Sequence, residues 1–216
     1  MSITVSQRAL IASALVMLVW YVVGIWYNRR RSMRTLNWLR EGLRGLGGQL
    51  QASWIGSAAS GAQIMVSGTS APIHQLDASF LLESRELLPL WLVNRLRGRR
   101  DELIIRIQLR SARQGEVEVV VSGSRWERSL RQDSRSTWQW QDGPFGLRVA
   151  HQGRGGQALS AAVLPFLHRY GPFLRRFSWR REKPHLVLYM RLAGLTECPA
   201  ADFFSDMVAV LQAPRH

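Results

Sequence analysis

A single cysteine, Cys198, and a single lysine, Lys183, are the scarcest residues of this 216-residue chain. One thiol closes no internal disulfide and is too little for a cysteine-rich zinc site. A lone cysteine suits a reducing compartment. The five histidines fall in no HExxH pattern, in no i, i+4 pair and beside no cysteine, so metal-ligand spacing is missing as well. There is no G-x-S-x-G nucleophile elbow and no G-x-x-x-x-G-K-[ST] phosphate loop. Gly153-Arg154-Gly155-Gly156 lacks the full dinucleotide fingerprint and reads as a strand-to-helix loop. Asp101 and Glu102 are adjacent, so on a strand they point to opposite faces. Asp202 and Asp206 stand one helical turn apart and read as a solvated face. These absences leave no candidate catalytic, cofactor-binding or metal residues.

Acidic residues are scarce too, 15 against 29 basic, of which 28 are arginine, giving a net charge of +14. That charge resembles a nucleic-acid signal until it is divided along the chain. Arg8 contributes one unit; residues 28–45 hold six arginines against Glu41; the remaining 171 residues carry 22 basic and 14 acidic side chains. Over a third of the excess thus lies in or beside one hydrophobic segment.

That segment is Ala9–Tyr27, nineteen consecutive uncharged residues. As a helix it covers about 28 Å, close to the ~30 Å hydrocarbon core of a bilayer. Trp20, Tyr21, Trp26 and Tyr27 cluster toward its C-terminal end, where aromatic rings sit at headgroup level. Arg29, Arg30 and Arg31 follow as a stop. A cleaved signal peptide would have a shorter apolar run and small residues before its cut site. A soluble core helix is seldom uncharged on every face for this length. The expectation is a single-pass anchor in the cell membrane. One arginine precedes it and six follow, which places the N-terminus outside and the remainder in the cytoplasm.

Leu36, Leu39, Leu43 and Leu46 then form a helical stripe, with Arg34, Arg40 and Arg44 on the other side. A second helix over 32–46 is expected, capped by Ser32, either lying on the inner leaflet or packing on the domain; packing is the commoner fate of such a stripe. Gly45–Gly48 closes it. The organisation expected is therefore a short extracytoplasmic N-terminus at 1–8, a transmembrane helix at 9–27, a basic juxtamembrane segment at 28–48 and a cytoplasmic domain at 49–216.

The domain reads as α+β, with a largely antiparallel sheet and about three helices. Strands are expected at 52–56, 62–68, 75–83, 102–110, 115–122, 136–141, 146–151 and 185–192. Those at 102–110 and 115–122 suggest a hairpin through Gln114-Gly115. Helical spacing covers 86–97, 157–169, with a possible continuation beyond Gly171-Pro172 to 179, and 200–213. Residues 88–109 and 171–192 share a faint order of proline, helix, arginines and strand that hints at duplication. Trp138 and Trp140 share one strand face and read as core, or as a contact surface if exposed.

Clustered arginines with aromatics are the remaining candidates for function. Arg34, Arg40, Arg44, Arg97, Arg99, Arg100, Arg175, Arg176, Arg180 and Arg181 are the expected contacts for anionic lipid or a partner; Arg125, Arg128, Arg131 and Arg135 surround Trp126. Guanidiniums suit phosphate and aromatics stack on bases, but a tethered domain meets lipid headgroups first. The reading is a membrane-tethered, non-enzymatic cytoplasmic domain, without cofactor, that binds a protein partner, anionic lipid at the inner leaflet, or both. A membrane-bound enzyme without a recognisable motif is the alternative, and nucleic-acid binding ranks below it.

Overall fold

The computed structural model describes residues 5–111, 115–132 and 137–212. Gln114, Arg135 and the first residue of the expected 136–141 strand lie outside them.

The chain begins with α1 (Val5–Arg44), one helix of 40 residues and about 60 Å. It replaces the two helices expected at 9–27 and 32–46. Arginine is a good helix former, so the charged run that ends an apolar segment need not end the helix. The first half of α1 is long and apolar enough to cross a membrane, and almost none of it is buried. That is consistent with a single-pass membrane protein. The second half enters the domain. Leu36, Leu39 and Leu43 are buried there, so the leucine stripe packs rather than lying on a surface. Trp38 donates to the Cys198 carbonyl at 2.7 Å and meets the rings of Phe203 and Phe204.

Behind α1 the fold is α+β around one antiparallel sheet. Its strands are β1 (Gln49–Trp54), β2 (Gly61–Ser67), β3 (Ile73–Leu81), β4 (Glu102–Leu109), β5 (Glu116–Val121), β6 (Gln139–Asp142), β7 (Leu147–Gln152), β8 (Leu174–Trp179) and β9 (Leu186–Arg191). They lie in the order β1-β2-β3-β4-β9-β8-β5-β7-β6. Alternation of apolar and polar residues supplies the core face: Leu103, Ile105 and Ile107 of β4 and Leu186, Leu188 and Met190 of β9 are fully buried. That face is covered by the second half of α1, by α4 (Gly156–Tyr170) and by α5 (Ala200–Gln212). The helix α2 (Leu88–Leu96) stands apart beside α1, and α3 (Arg125–Gln132) lies against β5.

Behind α1 the described residues hold four α-helices, where about three were expected. The unexpected one is α3, whose short, charged sequence RWERSLRQ offers only Trp126 and Leu130 as apolar residues. Its start is a capping arrangement instead: the Glu127 amide donates to Ser124 Oγ, and the Glu127 carboxylate accepts from the Gly123 amide. The pairing expected between 102–110 and 115–122 does not form, because β9 and β8 stand between β4 and β5. The helical continuation to 179 is also corrected: Leu174–Trp179 is strand β8. A register shift between Leu174 and Arg176 puts Leu174 and Phe177 on one face, three residues apart, which imitates helical spacing. Matching 88–109 to 171–192 would lay the helix α2 over the strand β8, so the segments differ in structure.

Candidate functional site

The sheet's end nearest the apolar half of α1 carries the loop from β3 through α2 to β4. Where this loop meets α1 there is a cavity of about 610 Å³. On α1 it is lined by Trp20, Val23, Gly24, Tyr27 and Arg31, residues three or four apart that make one stripe. Asn28, fully buried on the neighbouring turn, donates to the Glu83 carbonyl at 2.8 Å and accepts from Arg85 at 2.7 Å. Trp20 donates to the Arg85 carbonyl at 2.8 Å. Gly24 has to be small: a Cβ there would stand 2.4 Å from that same carbonyl oxygen.

Asp101, just before β4, organises the charges. Its buried carboxylate pairs with Arg31 at 2.8 Å and Arg85 at 2.9 Å, and accepts the Glu83 amide at 2.8 Å. Glu83 is also buried, yet neither carboxylate oxygen has a hydrogen-bond partner among the described residues. Arg85, Arg95 and Arg100 stand 3.6, 3.9 and 3.7 Å from it. Arg191, from the end of β9, completes the wall. Five guanidiniums face two carboxylates, a surplus of three positive charges. Walls of tryptophan and tyrosine with guanidiniums inside suit an anion joined to an apolar body.

Of the anchor residues read from sequence, Trp20, Tyr27 and Arg31 line this cavity. Tyr21, Trp26, Arg29 and Arg30 are exposed, with Arg30 over the Trp26 ring. Of the expected anion contacts, only Arg100 reaches the cavity. Arg34, Arg40 and Arg44 are exposed along α1, and Arg97 and Arg99 are exposed after α2. The other group sits elsewhere and is engaged by carboxylates: Arg175 with Glu102, and Arg176 and Arg180 with Glu118 at 3.1 and 2.8 Å. Arg181 is exposed, its amide donating to Glu116.

Glu118 is wholly buried on the sheet face away from the hydrophobic core. There guanidiniums lie over aromatic rings: Arg180 over Trp138, Arg131 over Trp140 and Arg176 over Trp126. The tryptophan pair is thus half-buried under arginine rather than in the core. Hydrogen bonds from the Gly123 amide and Arg131 hold the neighbouring Glu127 below the usual carboxylate range. Among the histidines, His74 and His168 are exposed. His185 is buried and accepts from the Leu109 amide at Nδ1; burial and then Lys183 lower its pKa.

Neither models of known protein families nor curated proteins match this sequence.

Proposed function

We propose that α1 anchors the protein in the cell membrane with the sheet domain in the cytoplasm, and that this non-enzymatic domain holds the anionic headgroup of an inner-leaflet lipid in the α1–α2 cavity. The supporting observation is the cavity's surplus of three positive charges, placed beside the last apolar turns of α1. Arg31 and Arg85 are committed to Asp101, whereas Arg95 and Arg100 approach Glu83 without hydrogen-bonding it. Arg95 and Arg191, with the part of the Arg100 guanidinium not given to the Arg95 and Arg99 carbonyls, are therefore the groups left to grip a phosphate, while Trp20, Tyr27 and Trp91 flank the glycerol and first acyl carbons. Basic recesses beside transmembrane helices on the cytoplasmic side are suited to such headgroups.

The test titrates the full chain in detergent with phosphatidylglycerol or phosphatidylcholine and reads bound lipid by native mass spectrometry. Phosphatidylglycerol is expected to be retained in preference. The double variant Arg95→Gln/Arg100→Gln should lose about tenfold in that affinity, the factor equivalent to ~1.4 kcal/mol. The triple variant Arg34→Gln/Arg40→Gln/Arg44→Gln on the outer side of α1 should retain it. Equal retention of both lipids, or an unaffected double variant, would overturn the assignment.

A further inference from the structure

We infer that α2 is a second membrane element, a short helix embedded in the cytoplasmic leaflet alongside α1. The inference rests on the reading of α1 as the anchor and goes beyond it, because the domain would then hold the bilayer at two points.

The first observation is the helix's own surface. No residue of α2 is buried, and Leu87, Leu90, Leu92, Val93 and Leu96 are between 42 and 80 % exposed. Few soluble domains leave a whole helix of this composition uncovered. No charge occurs from Leu87 to Asn94, and Arg95, Arg97, Arg99 and Arg100 then follow. Apolar body and cationic end are what an interfacial helix needs, its arginines reaching back to headgroups.

Depth is the second. The Trp91 ring lies 5.5 Å from that of Trp20, seven residues before the end of the uncharged run. At 1.5 Å per residue this places α2 roughly 10 Å inside the end of the apolar segment, within the usual depth of interfacial helices. The α1 side chains at that level, Val19 and Val22 among them, are exposed as well. Whatever medium covers them covers α2, and a partner seated on α2 would itself have to lie in the bilayer.

The third observation concerns the backbone. Non-helical chain at membrane depth survives only where its polar groups find protein partners. The segment leading into α2 meets that demand through α1, since Trp20 takes the Arg85 carbonyl and Asn28 the Glu83 carbonyl, each at 2.8 Å. A surface loop needs no such arrangement, because water would satisfy the same carbonyls.

The experiment uses the full chain with Cys198→Ser, reconstituted in vesicles of phosphatidylcholine and phosphatidylglycerol. Single cysteines at Leu92→Cys, Leu96→Cys, Val16→Cys and Gln51→Cys carry an environment-sensitive fluorophore, challenged with doxyl-labelled lipid or aqueous iodide. Leu92 and Leu96 are expected to match Val16, with lipid quenching several-fold above that at Gln51 and protection from iodide. Iodide quenching at Leu92 and Leu96 with Val16 still lipid-quenched would overturn the inference and leave the anchor standing. Protection of both α2 positions from both quenchers would mean a protein covers the helix, and would also overturn it. Iodide quenching at Val16 would remove the anchor reading and this inference with it.

Discussion

Asp101 carries more of the junction than any other side chain. Its carboxylate is the common partner of Arg31 from α1, of Arg85 from the connecting loop and of the Glu83 amide. Removing one member of a buried ion pair costs about 3–5 kcal/mol, because the other charge remains buried without compensation. Asp101→Ala is therefore expected to destabilise the full chain by about that much in denaturant titration. Glu83→Gln should behave in the opposite sense. The Glu83 carboxylate makes no hydrogen bond among the described residues, and neutralising it raises the cavity's surplus from three positive charges to four, so the fold should persist while phosphatidylglycerol binds more tightly. A Glu83→Gln protein as destabilised as Asp101→Ala would contradict this division of roles. Sequence reasoning reached Trp20, Tyr27, Arg31 and Arg100 because aromatics and arginines announce themselves beside an apolar run. It missed Glu83, Arg85, Asp101 and Arg191, which are brought to α1 only by the β3–β4 and β4–β9 pairings. The available local signal was Gly24 and Asn28, a small and a polar residue following Trp20 at four-residue steps where a lipid-facing helix has no need of them.

At the level of elements, α1 is one rod with two environments. Its first half is exposed except where it meets α2 and the loop before it, whereas its second half buries Leu36, Trp38, Leu39 and Leu43 in the core. Gly42 lets it approach α5 so closely that a Cβ would come 2.2 Å from the Phe204 ring. Leu39 is completely buried at the centre of that contact, and Leu18 on the apolar half is 59 % exposed. Leu39→Ala should cost about 2–5 kcal/mol of domain stability, the range for a buried leucine truncated to leave a cavity. Leu18→Ala should leave the domain's unfolding midpoint unchanged. Denaturant unfolding of both variants in detergent checks this, and equal effects would mean that α1 does not divide as described. The leucine stripe was legible because it repeats at the helical period. Its continuity with the apolar run was not, since charge marks where a segment leaves the bilayer without marking where its hydrogen bonding ends. Strands β4 and β5 were legible through alternation, β2 and β3 through composition, and β9 as an apolar run. The helix α3 and the strand β8 were not, the one short, charged and marked chiefly by its cap, the other shifted by a bulge.

For the whole molecule, the proposed orientation rests on charge. Six arginines on one side of the apolar run and one on the other favour retention of the sheet domain on the cytoplasmic side. Arg29, Arg30 and Arg34 are exposed and free of the Asp101 network, so they can be changed without dismantling the junction, whereas Arg31 cannot. A reporter that folds only in the cytoplasm, fused behind the sheet domain of the full chain, should be active. In Arg29→Glu/Arg30→Glu/Arg34→Glu that activity should fall, with a matching gain for a reporter that works only outside. An unaltered chain whose reporter is active only on the outer side would reverse the topology. The consequences of that outcome are unequal. The surplus charge of the cavity and the exposure of α2 would be unchanged, because both are set by contacts between α1 and the β3–β4 loop. The inner-leaflet headgroup would no longer be the ligand, because the cavity would open to the opposite leaflet. Orientation thus bears on which lipid the protein meets, while the α1–α2 junction bears on whether it holds one.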